Sequence, residues 1–258
     1  MKNYGMFDIY RKKGYLIEEN LLQKNKLHLI KSSIKTLLVK CLKKKDRASK
    51  SIDEQLIYLR NSNKSKFGIL FDSLQTLTIN YKILTSTKVL NKIARILNVD
   101  VSSITLTDVA LRLDPPIDEK NSLGWHQDSS YFRQNDKGVN GAVLWAPVTY
   151  ITKEMGLLEF LKDSHKIGSL KTKRNKFLKR DINSKKLQNF KKILKYDLKL
   201  GDALIMNMDM VHRSGKNNSK QYRISLIGRY HNMSSNDFNS GLNIYKYTNQ
   251  KINKETHG

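Results

Sequence analysis

The sequence predicts a mainly β chain with a jelly-roll core, two facing sheets with a cavity between them, behind a run of helices. Two observations carry this. Before Asp100, apolar residues recur at spacings of three and four; after it they fall into short alternating or continuous apolar runs. Those later runs are short and separated by turn signals such as Pro115-Pro116, Gly156 and Gly201-Asp202, the pattern of sandwiches and jelly rolls. We read residues 1–258 as one domain: a mainly helical part over 1–99, the β core over 100–231 and a polar tail over 232–258. No internal repeat is present.

Residues 20–43 predict a helix, because Leu27, Ile30, Ile34, Leu38 and Cys41/Leu42 form one core-facing stripe. Residues 44–66 are polar and basic, apart from Leu56-Ile57-Tyr58-Leu59, and read as a loop or lid over the core. Two more helices are expected over 67–84 and 87–97, the second capped by Ser86 or Thr87, with Val89, Leu90, Ile93 and Leu97 on its apolar face. Val109, Leu111 and Leu113 then alternate with Ala110, Arg112 and Asp114, a strand that Pro115-Pro116 ends. Leu123 to Asp128 reads as the next strand, followed by Gly141 to Val148, Gly156 to Leu161, Ala203 to Met206 and Tyr222 to Tyr230. The Lys-rich stretch 166–195 reads as a surface insertion, and the Asn-, Ser- and Lys-rich tail after Asn232 as loose.

Composition excludes several function classes. With 258 residues and 39% apolar content the chain can bury a sizeable core. A lone cysteine, Cys41, rules out an internal disulfide and a thiolate zinc site, and reads as a small buried apolar residue. Met1 to Tyr15 has basic residues but no apolar stretch behind them, and no apolar run approaches the ~20 residues that span a bilayer. A soluble cytoplasmic protein with no membrane partner is expected. The net charge of +25 invites a polyanion partner. However, Lys is scattered through every segment alongside abundant Asn and Ile, and the interleaved Arg and aromatic residues of single-strand binders are missing. We read the charge as compositional bias.

The chemistry begins at Leu123-Gly124-Trp125-His126-Gln127-Asp128. On a strand, residues two apart share a face, so His126 and Asp128 point the same way. One imidazole and one carboxylate there are two-thirds of a two-histidine, one-carboxylate iron site. His212, just past the apolar run 203–206, is the candidate third ligand. Such a triad leaves three positions open on an octahedral iron for a chelating cosubstrate and dioxygen. Arg223 follows eleven residues after His212 and should point inward with Ser225. A buried guanidinium needs an anionic partner, and the neighbouring strands offer no evident one, so a ligand carboxylate is the economical choice. A dicarboxylate that chelates iron at one end and meets Arg223 at the other is 2-oxoglutarate.

Trp125-His126-Gln127-Asp128, Trp145, Gly156-Leu157-Leu158 with Ser164-His165, Gly201-Asp202, His212-Arg213-Ser214-Gly215 with Asn217, and Arg223 occur in one order. In this the segment from Leu111 to Tyr230 resembles the phytanoyl-CoA dioxygenase family of Fe(II)/2-oxoglutarate oxygenases, and Gly14-Tyr15-Leu16-Ile17 also fits. The resemblance implies a double-stranded β-helix (cupin-like) core, with Fe(II) bound by His126, Asp128 and His212 and 2-oxoglutarate held by Arg223. It further implies that Ser214 and Trp145 line the cosubstrate pocket; Ser225 could add a hydroxyl to the same carboxylate. The family's Pro-Gly before its Ser-His is replaced here by Lys162-Asp163. Its other cosubstrate contacts come from the strand before His126, where Arg112 is inward-capable. A carboxylate at 128 rather than a small residue favours hydroxylation over halogenation.

The expected activity is therefore hydroxylation of a small molecule by dioxygen and 2-oxoglutarate, with release of succinate and CO2. The Lys-rich rim hints at an anionic substrate. Three alternatives stay open. One is a nucleic-acid demethylase, since Arg223 and Arg229 are spaced as in AlkB-like repair enzymes, although no aromatic base-flipping lid is evident. The second is a non-catalytic jelly-roll binding protein, and the third a zinc or manganese cupin isomerase, which leaves Arg223 unexplained. His165 reads as holding a turn, and His28, His231 and His257 as surface or helix residues.

Overall fold

A computed structural model describes residues 5–118, 123–132, 134–174, 180–182, 184–188, 190 and 193–239. The polar tail beyond 239, His257 and parts of the 166–195 insertion lie outside the described residues. Among the described residues seven α-helices come before the second strand, with the first strand between α1 and α2: α1 (Met6–Lys13), α2 (Lys24–Cys41), α3 (Lys44–Arg47), α4 (Ile52–Ser62), α5 (Lys64–Gln75), α6 (Thr78–Leu84) and α7 (Thr87–Leu97). The strands are β1 (Tyr15–Glu18), β2 (Ile104–Asp114), β3 (Gly141–Pro147), β4 (Leu158–Leu161), β5 (Thr172–Arg174), β6 (Arg180–Ile182), β7 (Ile193–Lys195), β8 (Ala203–Asn207), β9 (His212–Ser214) and β10 (Arg223–Asn232).

All pairings are antiparallel. One sheet runs β1-β8-β3-β10-β2, a second β7-β4-β9, and β5-β6 form a ribbon. The two larger sheets face each other across an apolar layer. Val143, Trp145, Leu204, Met206 and Ile227 come from the first, and Leu158 and Phe160 from the second. The opposite face of the five-stranded sheet presents Leu111, Leu144, Ile205 and Leu226 to the helices, which answer with Leu27, Ile30, Ile34, Leu70 and Ile93. So the three inner strands β3, β8 and β10 are buried along their whole length; β3 is apolar throughout, whereas β10 carries Arg223, Ser225 and Arg229 among its apolar residues.

The expected sandwich is present, but "mainly β" is a correction: helical residues outnumber strand residues among those described. The excess comes from 44–66, expected as a loop or lid and found as α3, α4 and the start of α5. Ser51 caps α4 by accepting from the Glu54 amide, while the Glu54 side chain accepts from the Ser51 amide. Leu56, Leu59, Leu70 and Leu74 then bury completely or nearly so. The helix expected over 67–84 breaks between α5 and α6, where the buried Asn80 amide donates to the free carbonyl of Leu74 at 2.8 Å. Cys41 is a free thiol of intermediate burial. His231, expected near the surface, is buried on β10 beside Asn135. Among the described residues no helix is long and apolar enough to cross a membrane.

Candidate metal centre

The segment around His126 is not a strand. His126 forms one antiparallel bridge to His212, each amide donating to the other's carbonyl at 2.9 Å. The chain then turns, because the Asp128 carbonyl accepts from the amides of both Tyr131 and Phe132 at 2.9 Å. A single bridge is enough to bring His126 beside His212, and the residues on either side of Gln127 still face one way. Gln127 itself faces the other way, fully buried. Its amide donates to the Gly168 and Asp209 carbonyls at 2.8 and 2.6 Å, and its oxygen accepts from the Leu170 amide at 2.7 Å. It fastens the start of the 166–195 segment behind the site.

His126, Asp128 and His212 are all buried, and one ligand atom from each lies within 4.8 Å of the other two. The His126 Nε2 and His212 Nε2 are each 4.0 Å from an Asp128 carboxylate oxygen. Both Nδ1 atoms are committed outward, to the Gly124 carbonyl at 2.8 Å and the Met210 carbonyl at 2.9 Å. A carbonyl can only accept, so each Nδ1 carries the proton and each Nε2 presents a lone pair toward the carboxylate. Burial, and then the neighbouring His212, push the His126 imidazole down to about 3, so it is neutral. Burial would raise the Asp128 carboxyl, but Arg229, His212 and His126 together hold it at about 2. Two imidazoles with their Nδ1 atoms held on backbone carbonyls, and one carboxylate, are a donor set that fits a divalent transition metal.

A second polar cluster lines the same face of β10. Arg223, Ser225, Ile227 and Arg229 alternate inward, opposite Asp114, Arg112, Ala110 and Asp108 of β2. Arg223 is buried and donates from Nε and Nη2 to the Asp114 carboxylate at 3.2 and 3.0 Å. Its Nη1 reaches the carbonyls of Met155, Gly156 and Gly215. The expectation that Arg223 lacks an internal acidic partner is therefore corrected: Asp114 is its direct cross-strand neighbour. Ser225 is fully buried and its hydroxyl has no partner among the described residues, an orphan that suits a ligand oxygen. Ser214 lies on β9 on the His212 side of the strand, and Trp145 lies in the inter-sheet layer beside Ile227.

Two charged residues at the centre had no assigned role from sequence. Arg229 donates to Asp128 at 3.2 Å and to Asp108, and its guanidinium lies 4.1 Å over the Phe132 ring. Asp114 bridges Arg223 and Arg112, with Arg112 Nη2 at 2.6 Å. Their inward parity was readable; the pairing of β2 with β10 was not. His165 lies in a short 3-10 turn, Ser164–Ile167, and its Nε2 meets the Arg11 carbonyl at 3.1 Å.

A sequence model of the phytanoyl-CoA dioxygenase (PhyH) family matches residues 10–225. The chain belongs to this family. No curated protein matches it. Among solved structures, it is similar to the epimerase SnoN in complex with Fe3+, alpha ketoglutarate and nogalamycin RO. That match has 14% identity, covers 91% of this chain and 85% of that one, and has a TM-score of 0.62. EctD from S. alaskensis with 2-oxoglutarate and 5-hydroxyectoine matches at 14% identity, 91% and 79% coverage and a TM-score of 0.61. EvdO2 from Micromonospora carbonacea var. aurantiaca with 2-oxoglutarate matches at 15% identity, 86% and 88% coverage and 0.56. These likenesses establish a shared fold for a phytanoyl-CoA dioxygenase family member whose metal triad sits between its two sheets.

Proposed function

We propose that this chain is an Fe(II)/2-oxoglutarate-dependent oxygenase that hydroxylates a small molecule. The carrying observation is the buried His126–Asp128–His212 cluster, with both Nδ1 protons tied to backbone and both Nε2 lone pairs turned toward the carboxylate. Family membership and structural neighbours crystallised with iron and 2-oxoglutarate support the choice of metal and cosubstrate. His126, Asp128 and His212 would hold the iron. Arg223 and Ser225 would receive the distal carboxylate of 2-oxoglutarate, with Ser214 and Trp145 along the pocket. When bound, the iron and 2-oxoglutarate supply the oxidation, in which dioxygen and the 2-oxo acid become succinate and CO2 and a substrate C–H becomes C–OH.

The residues of this chain do the positioning. Gly124 and Met210 fix the tautomers of the two imidazoles through their carbonyls. Arg229 keeps Asp128 ionised and oriented before any metal arrives. The inter-sheet apolar layer keeps water from the reacting centre.

A cavity of about 410 Å³ opens beside β2, lined by Arg60, Lys64, Phe67, Phe71 and Arg112 among others. Asp114 also lines it and pairs with Arg112, and Arg60 pairs with Asp118, so Lys64 and the two phenylalanine rings are what it offers to an anionic group on an apolar body. The test is anaerobic loading with Fe(II) and 2-oxoglutarate, then oxygen and a panel of carboxylated and phosphorylated compounds, scored by succinate. Iron-dependent succinate that His126→Ala abolishes is expected. Equal succinate from His126→Ala would remove the metal assignment. One neighbour is described as an epimerase, so the product is identified by mass: a gain of one oxygen marks hydroxylation, and an unchanged mass marks epimerisation.

A further inference from the structure

β4 and β9 pair in a register that sets Phe160 opposite His212, so Leu161 falls opposite Val211. The Leu161 amide donates to the Val211 carbonyl at 2.9 Å, the first of the two bonds that such an antiparallel pair exchanges. The second bond is interrupted. The Val211 amide donates to the Ser164 hydroxyl at 2.9 Å, and that hydroxyl donates to the Leu161 carbonyl at 2.8 Å. Its one proton goes to the carbonyl rather than to the Met210 sulfur 3.2 Å away, a weaker acceptor. Ser164 is completely buried, and its oxygen stands where the direct ladder bond would run.

This interruption reaches His212. The Val211 N–H and the Met210 C=O belong to one planar peptide group, so holding the first sets the direction of the second. The Met210 carbonyl accepts from His212 Nδ1–H at 2.9 Å. A continuous chain of hydrogen bonds therefore runs from His212 Nδ1–H through the 210–211 peptide and the Ser164 hydroxyl to the Leu161 carbonyl. Every member donates in the same sense, so each bond strengthens the next. His126 is held by the Gly124 carbonyl, on a separate stretch of chain.

We infer that Ser164 is a positioning residue for the metal ligand His212: standing between Val211 and Leu161, it turns the 210–211 peptide so that its carbonyl faces the imidazole. This rests on the metal reading above. Without the hydroxyl, the Val211 amide can close directly on the Leu161 carbonyl and complete the ladder. That closure rotates the peptide and takes the Met210 carbonyl away from Nδ1. The strand pair survives, while His212 loses the bond that fixes its tautomer and ring orientation.

The test compares Ser164→Ala with the parent in two ways: nitrogen-15 NMR of the histidine rings in metal-free protein at pH ~8, above the ordinary histidine range, and Co(II) titration. Asn80→Ala is the control for a lost buried hydrogen bond, because the Asn80 amide donates to the Leu74 carbonyl in the helical layer. In the parent, His212 should show a single Nδ1–H form. In Ser164→Ala its ring signals should move toward a mixture of tautomers, while those of His126 stay in place. Co(II) affinity should fall roughly tenfold, the low end for partners outside the ligand shell, and Asn80→Ala should leave it unchanged. If Ser164→Ala does not fold, Ser164→Cys carries the test, since a thiol is a poor donor and acceptor and should shift His212 in the same direction. Unchanged His212 ring signals overturn the inference, as does a Co(II) affinity that is unchanged or that Asn80→Ala lowers as much. A parent protein that binds no Co(II) sinks the metal reading itself, and this inference with it. Binding by the parent with His212 undisturbed in the Ser164 variant sinks the inference alone.

Discussion

Replacing Arg229 by Met removes the only described cation that contacts Asp128. Arg229 spans Asp128 at 3.2 Å and Asp108, and stacks on Phe132. Asp128 is 2% exposed, so its charge loses its partner with no water to replace it. Breaking one side of a buried pair costs about 3–5 kcal/mol. Asp108 is partly exposed and recovers hydration, which puts the expected loss near the lower end, about 3 kcal/mol. The penalty belongs to the metal-free protein. A divalent cation at His126, Asp128 and His212 supplies positive charge to the same carboxylate, so metal should recover much of the loss. Urea denaturation of parent, Arg229→Met and Arg229→Lys, each with and without Co(II), reads both quantities. The expected pattern is a loss of about 3 kcal/mol for metal-free Arg229→Met that shrinks on loading, with Arg229→Lys intermediate. A metal-free loss below about 1 kcal/mol, or one that metal does not reduce, refutes the role given to Arg229.

Three further predictions use other parts of the site. Gly156 has φ +77°, and a Cβ there would strike Gly215 and Lys216 backbone, so Gly156→Ala should separate the Gly156 and Gly215 carbonyls, two of the three that face Arg223. Weaker 2-oxoglutarate binding with iron affinity retained is expected by titration, and unchanged binding contradicts it. Gln127→Ala should free the Leu170 amide and cost about 1–3 kcal/mol for the buried groups left unpaired. Hydrogen exchange at Leu170 should rise; unchanged protection contradicts the clamp. Finally, burial pushes His231 down to about 4, and burial with His212 pushes His126 to about 3. Unfolded histidines titrate near 6.5, so below that pH the unfolded chain binds more protons than the metal-free folded one. Stability should therefore be full above pH ~6.5 and fall as pH drops toward 4; a flat urea midpoint between pH 7 and 4.5 contradicts this.

Parity along the chain was the most legible signal. The spacing of His126 and Asp128, and the alternation of Arg223 and Ser225, fixed which side chains share a face, even though the first segment is one bridge and a turn rather than a strand. Apolar stripes located α2 and α7, and apolar runs located β3, β8 and β10. Charge concealed α4: its Lys- and Arg-rich surroundings read as solvated loop, although Ser51 and Glu54 already had capping-box spacing ahead of Leu56 and Leu59. What was illegible was pairing. Asp114 could be placed on β2 and Arg223 on β10, but nothing local says that these two strands are neighbours in that register. The same blindness hid the contact of Arg229 with Asp128.

The central claim is that His126, Asp128 and His212 hold an iron that 2-oxoglutarate then chelates. Anaerobic addition of 2-oxoglutarate to the Fe(II)-loaded protein tests it most directly, through the visible charge-transfer absorption of a 2-oxo acid chelated to iron. The parent protein should develop this band with saturation at one equivalent of iron, and His212→Ala should not. No band in the parent, or an equal band in His212→Ala, would contradict the account.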